Sequence, residues 1–184
     1  AGSPDHQGLC AEAGGYPYCG AEELLAAGEP FLVALDELQD PQNLGAICRT
    51  AECAGAGGVV ICERRAAQVT PAVVKASAGA VEHLRIARVR NLADFLAAAK
   101  RRGCWTYGAA ADGAVAYDEP DYRGGVVLVL GAEGRGLRPR VAASCDALVS
   151  VPLHGRVRSL NASAAAAVLL YGILQRRAAL DRAS

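Results

Sequence analysis

Three stretches of this sequence concentrate side chains that do chemistry, and each sits where one element gives way to the next. DELQDPQNLGAICRTA (36–51) carries Asn43 and Arg49 after an Asp40-Pro41 step that turns the chain. LVLGAEGRGLRP (128–139) holds Glu133 among Gly131, Gly134 and Gly136, glycines that allow unusual backbone angles and let a ligand approach the main chain. VPLHGRVRSLNAS (151–163) crowds His154, Arg156, Arg158, Ser159, Asn161 and Ser163 ahead of an apolar run, AAAAVLLYGIL. Ser159 or Asn161 could cap the helix that run implies, and Arg176 and Arg177 suit its negative C-terminal end. A single cap leaves the other polar residues unexplained.

Sharper motif readings fail on spacing. G-x-x-G-x-G is not the dinucleotide fingerprint G-x-G-x-x-G, no long helix begins at its end, and a P-loop needs Gly-Lys-Ser/Thr. Ser159 lacks a G-x-S-x-G elbow and a His/Asp pair, so a hydrolase triad is not supported. His154, alone in a polar loop, reads as a surface residue. Taken singly, Asn43 and Arg49 could be an N-cap and a solvated arginine, and Glu133 a solvated turn residue.

The elements that must position these stretches alternate. PFLVALDEL (30–38), GGVVIC (57–62), HLRIARV (83–89), CWTYGAA (104–110), GGVVLVLG (124–131) and DALVSVP (146–152) read as strands. The most continuous β-branched run, 124–131, suits a central strand covered on both faces. Helices are expected from Asn43 to Ala54, over 70–80 with Pro71 in the first turn, over 91–103 between an Asn91 cap and Gly103, near Pro139 to Ser144, and at the C-terminus. Repeated β–α alternation predicts an α/β domain with a mostly parallel sheet, in which ligands bind beyond the strand C-termini. Asn43 and Arg49 sit at that address.

Bulk properties fit one compact domain: 184 residues, 52% hydrophobic, 21% charged. No run approaches a membrane span and the N-terminus has no signal-peptide pattern, so a cytoplasmic protein is expected. Seven cysteines form an odd set with no CxxC pair and no zinc-like cluster, and read as small buried apolar residues; no metal is expected. The formal net charge is zero but unevenly spread. The first forty residues hold eight acids and no Lys or Arg, whereas Arg138 to Arg182 holds seven arginines against Asp146 and Asp181. Such clustering fits an anionic partner, although a GC-rich genome would also favour arginine.

Together and in order, DPQNLGAICRTA, LVLGAEGRGL and VPLHGRVRSLNASAAAAVLLYGI resemble the three signature motifs of the SpoU/TrmH group of SPOUT RNA 2′-O-ribose methyltransferases, over about Phe31 to Gln175. The resemblance implies an α/β sheet whose C-terminal segment forms a deep trefoil knot, something periodicity cannot show and connection rules argue against. It implies S-adenosylmethionine as cofactor, held by Gly131, Gly136, Val151, Leu160 and Ser163. The implied catalytic residues are Arg49, Asn43, Glu133, Ser159 and Asn161, with Arg49, Arg156 and Arg158 on RNA phosphates. Arg49 is expected to stay protonated and to position the ribose, while Glu133 either orients Arg49 or accepts a proton. A homodimer that buries part of the terminal helix is implied as well.

DHQGLCAEAGGYPY (5–18) resembles the segment ahead of the catalytic domain in bacterial enzymes that methylate a guanosine ribose near the peptidyl-transferase centre of large-subunit rRNA. Residues 1–20 are therefore expected to be the remnant of a linker from an N-terminal RNA-binding domain, and 21–184 the catalytic domain. The absence of methionine agrees with a piece of a longer protein. The alternatives are a tRNA or other rRNA site, antibiotic-resistance methylation included, or a non-catalytic RNA-binding protein of the same fold.

Overall fold

Strand β1 (Phe31–Asp36) is buried at all six positions because it lies inside a sheet with helices on both faces. The computed structural model describes residues 14–26 and 28–182. The other strands are β2 (Gly58–Cys62), β3 (Ile86–Val89), β4 (Trp105–Ala109), β5 (Val115–Ala116), β6 (Val126–Gly131) and β7 (Ala147–Ser150). They pair in the order β3-β2-β1-β6-β4-β7-β5, and every pairing is parallel. The helices are α1 (Ala21–Leu24), α2 (Pro41–Cys53), α3 (Pro71–Ala76), α4 (Leu92–Arg101), α5 (Pro139–Ser144) and α6 (Ala162–Asp181).

Alternate residues of each strand feed two cores. Val33, Leu35, Ile61 and Leu128 pack with Leu44 and Ile47 of α2 and with Leu169, Leu170 and Ile173 of α6. Leu32, Ala34, Val60 and Val129 pack on the opposite face with Phe95 and Leu96 of α4 and Val141 of α5. Each fully buried Leu, Ile or Phe contributes roughly 1.5–3 kcal/mol, so α4 and α6 each account for a large share of the burial on their face.

Local chemistry moves several expected boundaries. Helix α2 begins at Pro41, not Asn43: the Asp40 carboxylate accepts from the backbone N–H groups of Gln42 (3.0 Å) and Asn43 (3.3 Å), and Pro41 takes the first position, where its missing N–H is harmless. Asn43 thereby becomes a buried first-turn residue whose side chain is free for another task. The helix expected over 70–80 stops at Ala76, because Ala78 (φ 51°) and Gly79 (φ 84°) turn left-handed before a short 3-10 turn at Ala80–Glu82. That turn also delays β3 to Ile86. Asn91 caps α4 as expected, accepting from Ala93 N–H at 3.1 Å. Elements as short as α1 and β5 carry no period and were not anticipated.

The folded unit reaches back to Tyr16. Its hydroxyl donates to the carbonyls of Val81 (2.7 Å) and Leu84 (3.1 Å), the Tyr18 hydroxyl accepts from Val69 N–H (2.8 Å), and Cys19 bridges to Ala87 beside β3. Most of the segment read as linker lies outside the described residues.

The six described cysteines are free thiols. Cys48, Cys62 and Cys104 are buried as expected, and burial pushes the Cys48 thiol up to about 12. Cys53, on the last turn of α2, is exposed instead, because it lies on the solvent side of that helix. Cys10 falls outside the described residues. Among the described residues no helix is long and apolar enough to cross a membrane, and no group of three His, Cys, Asp or Glu could hold a metal ion.

Candidate active site

The pairing of β1 with β6 sets Asp36 opposite Gly131 at the C-terminal edge of the sheet, and the glycine stretch folds from there. Ala132 and Gly136 exchange backbone hydrogen bonds (3.2 and 2.8 Å), which closes a tight loop with Gly134 and Gly136 at positive φ (73° and 64°). A Cβ on Gly131 would collide with the backbone of Gly136 and Leu137, so only glycine permits the closure.

Arg138 ends that loop and anchors it to β1. Its N–H donates to Asp36 Oδ2 and its Nε to Asp36 Oδ1, both at 2.8 Å, while Nη1 donates to Glu37 Oε1 at 3.0 Å. The Asp36 side chain is fully buried, and a buried carboxylate needs such a partner. The hydrogen bond that Arg138 donates to Asp36 holds its guanidinium above the ordinary value, against the effect of burial.

All three polar stretches meet through side chains. Asn43 Nδ2 donates to Glu133 Oε1 at 2.9 Å, and Asn161 Nδ2 donates both to Asn43 Oδ1 at 3.0 Å and to Glu133 Oε1. The backbone N–H of Ala162, at the start of α6, adds a longer bond of 3.4 Å to the same carboxylate oxygen. Asn161 also caps α6: its Oδ1 accepts from the N–H groups of Ser163 (2.9 Å) and Ala164 (3.2 Å), and from the Ser163 hydroxyl (2.6 Å). With its amide nitrogen committed to Glu133 and its oxygen to the helix, Asn161 is fixed in orientation. Glu133 Oε2 has no partner among the described residues.

Beside this junction lies a cavity of about 680 Å³. Leu130, Leu148, Val149, Val151 and Leu160 give it apolar walls, the 131–136 loop offers main-chain polar groups, and Asp112, Glu133, Arg135 and Arg158 supply charge. Such a lining suits an elongated ligand with an apolar ring system and a charged end.

Of the residues expected to bind cofactor, Gly131, Gly136, Val151 and Leu160 line this cavity, whereas Ser163 is turned to Asn161 and does not. Glu133 and Ser159 line it as well, and Asn43 and Asn161 reach it through Glu133. Arg49 stands apart. Six residues beyond Asn43, it is displaced about 9 Å along α2 and most of a turn around it, and it is exposed, outside the cavity and without a hydrogen bond or ion pair among the described residues. The option that Glu133 orients Arg49 is therefore not seen within one chain: two amides occupy Glu133 instead. Arg156 and Arg158 are both exposed, and only Arg158 lines the cavity.

Asp112 and the Asp36–Arg138 pair escaped the sequence reading. Asp112 belongs to a turn after β4 whose relation to β6 depends on strand order, and Asp36 looked like an ordinary strand end. The one available signal was an acid standing within an otherwise apolar strand.

Fold and cavity together define a parallel α/β ligand-binding protein whose site is built by a glycine loop and the polar lead of its last helix. The SpoU rRNA Methylase family model matches residues 30–171, and the chain belongs to that family. It is 44% identical over 177 residues to the TrmH family protein YacO of Bacillus subtilis (strain 168), covering 94% of this chain and 71% of YacO. The SpoU methyltransferase AviRb from Streptomyces viridochromogenes, solved in complex with the cofactor AdoMet, is similar with a TM-score of 0.77 and 29% identity, covering 85% of this chain and 61% of that one. An AdoMet-bound rRNA methyltransferase from Sinorhizobium meliloti is similar with a TM-score of 0.80 and 32% identity, covering 86% and 61%. The chain thus spans less than two thirds of these two solved proteins.

Proposed function

We propose that this chain is the catalytic domain of an S-adenosylmethionine-dependent RNA ribose 2′-O-methyltransferase, cytoplasmic and homodimeric, whose target is a guanosine near the peptidyl-transferase centre of large-subunit rRNA. The observation that carries this reading is the junction of Asn43, Glu133 and Asn161 beside the cavity, which joins all three motif stretches around one carboxylate. In this reading the residues ahead of Tyr16 belong to a linker from an RNA-binding domain, Tyr16 to Cys19 pack on the catalytic domain, and the 151–160 segment is part of the knotted path.

The cavity fits the cofactor. The 131–136 loop offers main-chain polar groups to an adenosine, Leu130, Leu148 and Val151 offer apolar walls, and charged groups of both signs suit a zwitterionic amino-acid end. When bound, S-adenosylmethionine supplies an electrophilic methyl on a sulfonium. The protein must then align the ribose hydroxyl and remove its proton as the hydroxyl oxygen acquires the methyl. Glu133 Oε2, without a hydrogen-bond partner among the described residues, is the group assigned to receive that proton. Asn43 and Asn161 hold Oε1 and so fix where Oε2 points, and Ser159 lines the same wall. Arg49, Arg156 and Arg158 hold the phosphates that flank the ribose.

The homodimer rests on exposed apolar surface. Val168 and Tyr171 of α6 are exposed opposite the buried Leu169, Leu170 and Ile173, and Val157 ahead of the helix is 75% exposed. A second copy laid on this face would cover them.

Calorimetric titration with S-adenosylmethionine and S-adenosylhomocysteine tests the cofactor assignment. Incubation of unmodified ribosomal RNA and, separately, tRNA with the cofactor, followed by mapping of 2′-O-methylated nucleotides, tests the target. Methylation of tRNA alone would replace the rRNA assignment, and no methylation of either would overturn the activity.

A further inference from the structure

A second cavity, of about 280 Å³, opens on the same edge of the sheet and is lined by Arg90, Asn91, Ala93, Arg138, Arg140 and Val141. We propose that it is a phosphate site for the backbone of the RNA substrate, distant from the target ribose. The proposal rests on the methyltransferase reading above and adds a contact surface to it.

Three arginines from two places in the sequence converge here because of the sheet order. Arg90 follows β3, while Arg138 and Arg140 begin α5 after the glycine loop. The ends of β3 and β6 are separated by β2 and β1, three strand spacings or roughly 14 Å. The Gly131–Leu137 loop lines the larger cavity and its next residue, Arg138, lines the smaller one. An RNA strand placed with its ribose at Glu133 can therefore continue along the C-terminal edge and reach this cavity.

The three guanidinium groups face four carboxylates, Asp36, Glu37, Glu63 and Asp94, so a phosphate enters by exchange with the solvated ones, Glu63 and Asp94. Arg138 is fixed by Asp36 and Glu37, both buried, and still leaves 43% of its side chain exposed. Arg90 meets Glu63 at 3.5 Å with 91% of its side chain exposed, and Arg140 meets Asp94 at 3.3 Å with 74% exposed. Solvated pairs of this kind contribute little, so a phosphodiester that several guanidinium groups can reach displaces the carboxylates at small cost. Arg64 and Arg65 are exposed after the neighbouring β2, and Arg65 shares Glu37 with Arg138 at 4.0 Å.

The test measures binding of an in vitro transcript of large-subunit rRNA to this chain as a function of KCl, for the wild type, Arg90→Ala/Arg140→Ala and Arg90→Lys/Arg140→Lys. Titration with S-adenosylmethionine serves as the folding control. The alanine double variant should bind RNA roughly ten-fold more weakly at moderate salt, and the slope of log affinity against log salt should shrink by about 1.4–1.8, the loss of two phosphate contacts. Cofactor binding should be unchanged, and the lysine variant should keep most of the slope. Equal RNA affinity and slope in wild type and alanine variant, with cofactor binding intact, would overturn the site and leave the methyltransferase reading standing. A wild type that binds cofactor but not the transcript would overturn it too, and one that binds neither would remove both readings. Inorganic phosphate, added at constant ionic strength, separates the two sources of the anion: weaker RNA binding by the wild type but not by the alanine variant supports the RNA assignment, whereas phosphate bound at low concentration with RNA affinity unchanged would assign the cavity to the free anion and overturn it.

Discussion

Asn43 and Glu133 lie 90 residues apart in sequence and are joined by a 2.9 Å hydrogen bond from Nδ2 to Oε1. Asn43 is buried and cannot turn to solvent, so the bond fixes the carboxylate as much as it satisfies the amide. Asn161 approaches from the third stretch and bonds both partners. The consequence is a carboxylate with one oxygen held by two amides and the other without a partner among the described residues.

Glu133→Gln keeps the shape of that group and removes its capacity to accept a proton. Methyl transfer should fall by at least about 100-fold with little change in thermal midpoint. Glu133→Ala should in addition destabilise the protein by about 1–3 kcal/mol, because the buried Asn43 amide loses its acceptor. Wild-type turnover in the Gln variant would take proton removal away from Glu133.

Arg49 touches no other described side chain through a hydrogen bond or ion pair, so Arg49→Ala should leave stability within about 0.5 kcal/mol and cofactor affinity unchanged. Methyl transfer should nevertheless be abolished. Single-turnover assays at saturating cofactor measure this directly, and an active variant would exclude Arg49 from the reaction.

Any side chain at Gly131 meets the backbone of Gly136 and Leu137, which cannot move without opening the loop anchored by Arg138. Gly131→Val should therefore lose cofactor binding in calorimetry while the far-ultraviolet dichroism remains that of an α/β protein. Unchanged affinity would place the adenosine elsewhere.

On α6, Val168→Glu combined with Tyr171→Ser should convert the proposed dimer to a monomer in sedimentation velocity at micromolar concentration. Both positions are exposed, so secondary structure should survive. A variant that sediments like the wild type would show that this face is not the interface.

Asp146 carries a pH dependence. Burial would raise its pKa, but the Lys100 ammonium at 2.8 Å and the Thr106 hydroxyl and N–H outweigh burial and hold it below its ordinary value. A carboxylate depressed in the folded state contributes stability above its unfolded pKa and loses it as pH falls through the folded value. Asp146→Asn should thus lower the thermal midpoint at neutral pH, with the difference from wild type shrinking toward zero in strong acid. A difference that persists there would mean the loss is one of packing or hydrogen-bond geometry.

Much of the fold was legible in local chemistry. The β-branched run 126–131, the Asn91 cap and Gly103 after α4 each marked its element, because a strand covered on both faces and a capped helix leave their signatures within a few residues. Where a boundary moved, a neighbouring side chain decided it: Asp40 outcompeted Asn43 as the cap of α2, and two left-handed residues ended α3 early.

By itself the sequence determined the longer elements, the three polar stretches and, through their order, the family. Tertiary structure alone decided which of those residues touch. The pairing of Asp36 with Gly131 brings the ends of β1 and β6 together, and the lead into α6 returns to the same edge, so Asn43, Glu133 and Asn161 meet. The same geometry keeps Arg49 out of that contact, because six residues of helix carry it away from Asn43 however close the two stand in the chain. Arg90, Arg138 and Arg140 converge only through strand order, a relation fixed by the packing of the whole sheet and carried by no local pattern.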